Sequence, residues 1–195
     1  MNLILASASE RRIELLKRIT EDFTIIVSNF DEDKVKFTGK VHEYVMELSK
    51  EKAYAVSKSK KISKTEQNII IAFDTIVSID NSILGKPKDR LDAFRMIKML
   101  SGKVHNVYTG VTILDVTSGI TNCDYVCTKV RFSNLTDKVI DRYLNLEEYK
   151  DKAGAYAIQG YASVFVESIE GCFYSVVGLP INKLSTMFGE MGINL

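Results

Sequence analysis

With 195 residues, 46% hydrophobic and 26% charged, the chain can bury one good core or two small lobes that share a sheet. Its 26 Lys and Arg against 25 Asp and Glu leave a net charge of +1, which excludes a global field for nucleic acid or anionic membrane, so any anion site is local. Apolar runs such as 69–73 are too short to span a bilayer, and charges arrive by Glu10 with no preceding apolar leader, so a cytoplasmic chain without membrane contact is expected.

Residues 2–6 read as a short buried strand, and 9–19 as a helix with Ile13, Leu15, Leu16 and Ile19 on its apolar stripe and Ser9 at the N-cap. A strand at 23–28, a loop at 29–40 and a helix at 42–60 follow, the helix leaving through a basic, serine-rich stretch at 58–64. Next come a strand at 68–73, a short strand pair at 75–79 and 82–85, and a helix at 90–100 stopped by Ser101-Gly102. Long strands at 104–116 and 120–132 join through Ser118-Gly119. A helix at 136–146, a glycine-rich loop at 152–160, strands at 163–169 and 172–177 paired across Glu170-Gly171, and a helix at 180–191 opening on Pro180 complete the chain. Strands that alternate with helices and later become hairpins predict an α/β fold, a mixed sheet with flanking helices. One domain over residues 1–195 is expected, with two lobes around a central cleft.

The cysteines and histidines offer no metal site. Cys123 and Cys127 share a strand face about 13 Å apart, too far for a disulfide or a common ion. Cys172 stands in another predicted strand, and all three read as reduced core residues. His42 begins a helix, and His105 reads as a satisfied, partly buried imidazole in a strand.

Charge interrupts the core pattern at several points. Arg11 and Arg12 fall in the first turn of a helix, where cations are mildly repelled unless an anion docks on the free N–H groups. Lys52 lies on the stripe of Val45, Leu48, Ala55 and Val56, either snorkelling outward or aimed at an internal anion. Asp74 closes the apolar run Ile69–Phe73, where an unpaired carboxylate would cost several kcal/mol. It either caps a turn or handles a cation, a metal or a proton at the carboxyl end of a strand. Asp31-Glu32-Asp33 is either a solvated loop or, with Asp74, a place for a hard divalent ion. Gly85-Lys86-Pro87 sets a lysine in extended backbone, and Gln159 in the glycine-rich loop carries an amide able to read a base edge. Taken together, Arg11, Arg12, Lys52 and Lys86 facing Glu32 and Asp74 suit a polyphosphate with its metal. A P-loop is excluded by the absence of its motif.

These segments, in order, resemble one known family: Leu5-Ala6-Ser7-Ala8-Ser9-Glu10-Arg11-Arg12-Ile13-Glu14-Leu15-Leu16, Glu51-Lys52-Ala53, Asp74-Thr75, Gly85-Lys86-Pro87, Leu100-Ser101-Gly102, Thr109-Gly110, Lys152 to Gly160 and Val177-Gly178-Leu179-Pro180. The chain is similar to the Maf (septum formation) family of nucleoside triphosphate pyrophosphatases over nearly its whole length. The resemblance implies an elongated, two-lobed α/β fold like that of the inosine triphosphate pyrophosphatases, and release of pyrophosphate from a nucleoside triphosphate. It also implies dependence on Mg²⁺ or Mn²⁺ and a homodimer. Asp74 is implied as general base or metal ligand, with Glu32 sharing the metal. Arg11, Arg12, Lys52 and Lys86 would hold phosphates, with Lys52 and Lys86 offsetting the charge that develops in transfer. Ser7 and Ser9 border the phosphate turn. Asp74-Thr75 together with Ile158-Gln159-Gly160 resembles the branch acting on dTTP and UTP, so Thr75 and Gln159 join the substrate site, Gln159 at the base.

Two residues depart from the family pattern. Glu10 replaces the usual proline at the first helical position, and Phe73 replaces a small alanine before Asp74. The rival expectations are a nucleotide-binding regulator of septation without catalysis, and a pyrophosphatase for purine triphosphates such as ITP.

Overall fold

The computed structural model describes residues 1–62, 67–80 and 82–194. In chain order they form β1 (Asn2–Leu5), α1 (Glu10–Leu16), β2 (Thr24–Ile25), α2 (Val41–Ser57), β3 (Asn68–Ile79), β4 (Ser82–Leu84), α3 (Arg90–Leu100), β5 (Val104–Asp115), β6 (Thr121–Phe132), α4 (Asp137–Leu144), β7 (Val166–Glu170), α5 (Phe173–Val177) and α6 (Ile181–Glu190). Single 3₁₀ turns stand at Glu32–Lys34, Ala153–Ala155 and Tyr161–Phe165.

Seven strands make one mixed sheet in the order β2-β1-β3-β5-β6-β7, with β4 beside β3. β1 runs parallel to β2 and β3; the other pairings are antiparallel. Side chains alternate across the sheet as the strand period requires. Ile4, Ile70 and Ala72 face one layer with Ala53 and Val56 of α2. Leu3, Leu5, Ile69, Ile71 and Phe73 face a larger layer that includes Leu15 and Leu16 of α1 and Ala93 and Ile97 of α3. Phe73 is fully buried there, so one of the two departures noted in the sequence is a core side chain.

The sheet has a gap, and the gap positions the site. β5 pairs with β3 from Ile69 to Ser78, which occupies one edge of β3 almost completely. On the other edge β1 stops at the Leu5–Ile71 pairing and β4 begins at the Val77–Leu84 pairing. Residues 72–76 of β3 therefore face an opening about 16 Å long at 3.3 Å per residue. Asp74 and Thr75 stand in its middle. The 6–9 loop leaves β1 at one side of the opening, and Gly85-Lys86 leaves β4 at the other.

Several elements differ from the sequence expectation. The strands expected at 68–73 and 75–79 are one continuous strand, because β5 carries the ladder straight past Asp74. Asp74 thus interrupts the apolar pattern without ending the strand. Residues 172–177, read as a strand from Cys172, Phe173, Tyr174 and the valines, form α5 after Cys172. Ser175 Oγ donates to the Cys172 carbonyl at 2.7 Å, and the Ser175 carbonyl accepts from Thr109 Oγ1 at 2.7 Å, so side-chain and tertiary bonds override the β propensity. Residues 163–165 belong to a 3₁₀ turn, not to a strand. α1 is shorter than expected and continues to residue 20 only as turns. α2 ends at Ser57; of the expected serine-rich exit, residues 63 and 64 lie outside the described residues. Cys127 is exposed and Cys123 and Cys172 are half-buried, so the cysteines are free thiols but not core residues.

Candidate active site in the sheet gap

Helix α2 lies directly on the sheet beside Asp74. Gly110 pairs with Asp74 across β3 and β5, and a β-carbon at Gly110 would fall 2.2 Å from the Val45 carbonyl oxygen. The missing side chain lets α2 approach the strands, and two turns further on Lys52 reaches the carboxylate. Lys52 Nζ donates to Asp74 Oδ1 at 2.6 Å and lies 2.8 Å from Glu32 Oε1. The Lys52 and Asp74 side chains are only 14% and 8% exposed, which makes this a buried pair rather than a surface ion pair. Asp74 Oδ2 is buried with no hydrogen-bond partner among the described residues. Glu32 arrives from the 3₁₀ turn that Asp31 caps by accepting from the Asp33 N–H. Burial pushes the Glu32 carboxyl up, but the charge and hydrogen bond of Lys52, joined by Lys86 and Arg12, outweigh it and hold the group below its ordinary value. Glu32 is therefore ionised at neutral pH.

Thr75, one residue on, points to the opposite face of β3. Arg12 is fixed there by a fork of bonds: Nε donates to the Gly178 carbonyl at 2.8 Å, Nη2 to Thr75 Oγ1 at 3.1 Å and Nη1 to Ser7 Oγ at 3.4 Å. Thr75 Oγ1 in turn lies 3.0 Å from Thr109 Oγ1. The guanidinium also stands over the Phe73 ring, 5.8 Å from its centroid. Burial pulls the Arg12 pKa down to about 10, with Asp74 and Glu32 opposing and Arg11 assisting, so Arg12 remains charged at neutral pH. Ser9 occupies the N-cap position of α1 but makes no side-chain capping bond; Ser7 Oγ instead accepts the Ser9 N–H at 3.2 Å.

The opening is a cleft of about 610 Å³. Its lining brings together every candidate of the sequence reading: Ser7, Ser9, Arg11, Arg12, Glu32, Lys52, Asp74, Thr75, Lys86 and Gln159. Among the described residues Arg11, Arg12, Lys86 and Lys152 form no salt bridge, although all four border the cleft. With Lys52 they make five cations against the four acids of the lining, Glu10, Glu32, Asp74 and Asp151. The four without an ion pair among the described residues form a receptor for a multiply charged anion. Lys152 is one residue to which the sequence reading gave no role, since a lysine in a glycine-rich loop carries no periodic signal. Thr109 and Gly178 lie in segments that carry the family resemblance but were likewise given no role, because nothing local shows that a backbone acceptor and a buried hydroxyl meet Arg12 and Thr75. The readings of Lys52 as snorkelling and of Asp74 as a turn cap are overturned: both side chains point inward.

The glycine-rich segment closes the far wall. Its 3₁₀ turn is tied to the end of β4 by the Gly154 N–H, which donates to the Gly85 carbonyl at 3.0 Å. Tyr156 is held from behind by His105, Nε2 to hydroxyl 2.8 Å. His105 is fully buried and its Nδ1 has no partner among the described residues, so the imidazole is only half satisfied, contrary to expectation. Burial lowers its pKa to about 4. Gln159 lies exposed at the rim.

The donor set fits one hard divalent ion held together with substrate. Asp74 offers a buried oxygen that nothing else uses, and Glu32 offers a half-exposed carboxylate beside it. No group of three or more His, Cys, Asp or Glu side chains among the described residues could hold an ion unaided. Mg²⁺ commonly binds through one or two carboxylates completed by phosphate oxygens and water.

Known proteins place the chain. The sequence profile described as Maf-like protein matches residues 2–191. The chain is 58% identical over 194 residues to a protein of Clostridium botulinum (strain Kyoto / Type A2) named dTTP/UTP pyrophosphatase, covering 100% of this chain and 99% of that one. It is 54% identical over 195 residues to a Clostridium tetani (strain Massachusetts / E88) protein of the same name, with 100% of each covered. The solved structure of a HAM1 protein from Coxiella burnetii shares the fold at a TM-score of 0.52 and 14% identity, over 97% of this chain and 99% of that one. The chain belongs to the Maf-like protein family.

Proposed function

We propose that the chain hydrolyses nucleoside triphosphates, dTTP and UTP foremost, to the monophosphate and pyrophosphate. The observation that carries this reading is the Lys52 bridge between Asp74 and Glu32, set beside a forked Arg12 in a cleft with unpaired cations. The name carried by the two clostridial relatives supports the choice of pyrimidine substrates.

Water attacks the α-phosphorus and the bond from that phosphorus to the oxygen bridging to the β-phosphate breaks. Asp74 takes the proton of the attacking water on Oδ2, since Lys52 occupies Oδ1. Lys52 orients that carboxylate and offsets charge on the phosphate in flight, while Lys86 does so from the β4 side. Arg12 binds phosphate with a guanidinium whose geometry is already set by Gly178, Thr75 and Ser7, so little is lost to ordering on binding. Arg11 and the Ser7 and Ser9 hydroxyls line the phosphate turn, and Gln159 reads the base. Glu32 would hold Mg²⁺ or Mn²⁺, and Asp74 Oδ2 would join it as ligand in place of its role as proton acceptor; the ion, when bound, would draw negative charge from the phosphate oxygens.

The chain is further proposed to work as a homodimer in the cytoplasm, in one domain with two lobes about the cleft. Its resemblance to the family supports these points; among the described residues no helix is long and apolar enough to cross a membrane. Product analysis with dTTP, UTP, CTP, GTP and ITP in Mg²⁺ tests the reading. Pyrophosphate and monophosphate from dTTP and UTP are expected. Binding without product would favour a regulator, and preference for ITP a purine enzyme.

A further inference from the structure

Gln159 stands at an exposed rim, so something behind it must set its place. Two local bonds shape the segment: the Gly160 N–H donates to the Ala157 carbonyl at 3.0 Å, and the Ser163 N–H to the Gly160 carbonyl at 3.0 Å. The third tie comes from outside it. Glu148, half-buried four residues beyond the end of α4, accepts the Tyr161 N–H on Oε2 at 2.8 Å. Its other oxygen occupies the space that a side chain at Gly160 would need: a β-carbon there would fall 1.3 Å from Glu148 Oε1. The carboxylate therefore lies against Gly160 with one oxygen and holds the N–H that follows it with the other. Glu148 does not line the cleft.

We infer that Glu148 is a positioning residue for base selection, clamping Gln159-Gly160-Tyr161 so that the Gln159 amide meets the nucleobase. This rests on the pyrophosphatase reading above. Burial lowers the pKa of both Arg11 and Lys152, and the charges of Glu148 and Asp151 oppose it.

The test compares wild type, Glu148→Gln, Glu148→Ala, Gly160→Ala and the Glu148→Ala/Gly160→Ala double variant. Steady-state kinetics with dTTP, UTP, CTP, GTP and ITP is paired with amide hydrogen exchange over residues 157–163. Glu148→Ala should raise KM for dTTP and UTP about tenfold and shrink their advantage over CTP about as much, with kcat changed by less than about threefold. Glu148→Gln, which keeps an acceptor for the Tyr161 N–H, should retain the selectivity and the exchange protection that Ala loses. Gly160→Ala should mimic Glu148→Ala, and the double variant should be no worse than either, because the carboxylate that the new methyl would strike is gone. A lower melting temperature with unchanged base ratios would reduce Glu148 to a structural role and overturn the inference. So would equal damage from Gln and Ala, or additive damage in the double variant. Wild type inert toward all five nucleotides would overturn the pyrophosphatase reading and the selectivity role with it. Unchanged exchange in Glu148→Ala would overturn the clamp whether or not the wild type is active.

Discussion

Lys52 Nζ donates to Asp74 Oδ1 at 2.6 Å, and that bond leaves Asp74 Oδ2 as a buried oxygen with no partner among the described residues. One oxygen is held and the other is left for chemistry. Asp74→Asn keeps the shape and removes the proton acceptor. Pyrophosphate release should fall by about 10²–10⁴ while circular dichroism and the melting temperature show a retained fold.

The same pair predicts an asymmetry in stability. Lys52→Met strands the Asp74 carboxylate in a site only 8% exposed, and should cost roughly 3 kcal/mol in urea unfolding. Adding Asp74→Asn to that variant should recover most of the loss, because the uncompensated charge is then gone. A Lys52→Met protein as stable as wild type would mean that water already solvates the carboxylate.

Arg12 is positioned by a fork that lysine cannot reproduce. Arg12→Lys keeps the charge but loses the simultaneous bonds to Gly178 and Thr75. KM for nucleotide should rise about tenfold, with a smaller fall in kcat. An unchanged KM would show that only the charge of Arg12 matters.

His105 links stability to pH. Its folded pKa, lowered from 6.5 to about 4 by burial, means that the unfolded chain binds a proton the folded chain refuses between those values. The contribution is complete above pH 6.5 and is lost as pH falls toward about 4, by about 1.4 kcal/mol per unit and roughly 3 kcal/mol in total. Urea denaturation from pH 7 to pH 4 should show that slope, and His105→Gln should flatten it. Glu32 adds acid sensitivity at lower pH, where its depressed carboxyl finally protonates.

Gly110 reports on how α2 reaches the sheet. A methyl at Gly110 would lie 2.2 Å from the Val45 carbonyl oxygen, a backbone atom that cannot rotate aside. Gly110→Ala should cost about 1–3 kcal/mol. It should also lower kcat, because Lys52 is carried on the helix that must move. Calorimetry and single-turnover rates together check this; lost stability with an intact rate would uncouple the helix from catalysis.

The charges of the site were legible in the sequence because each broke a periodic pattern: Lys52 on an apolar helical stripe, Asp74 in an apolar strand, two arginines at a helix start. Their common location was not, since it depends on β1 stopping at Leu5 while β3 runs on to Ile79, a mismatch between strands that local patterns do not encode. The helix at 173–177 was hidden for a related reason. Its valines and aromatics favour a strand, and bonds from distant strands, Thr109 and Thr128 to Ser175 and Thr128 to Cys172, hold it as a helix instead. Glu148 carried no signal, since an acidic residue in the run 147–151 looks like any solvated loop.

Hydrolysis of UTP in oxygen-18 water, followed by mass spectrometry of both products, tests the central claim most directly. Attack at the α-phosphorus places the heavy oxygen in UMP and leaves pyrophosphate unlabelled. Label in pyrophosphate, or release of orthophosphate and UDP, would contradict the account.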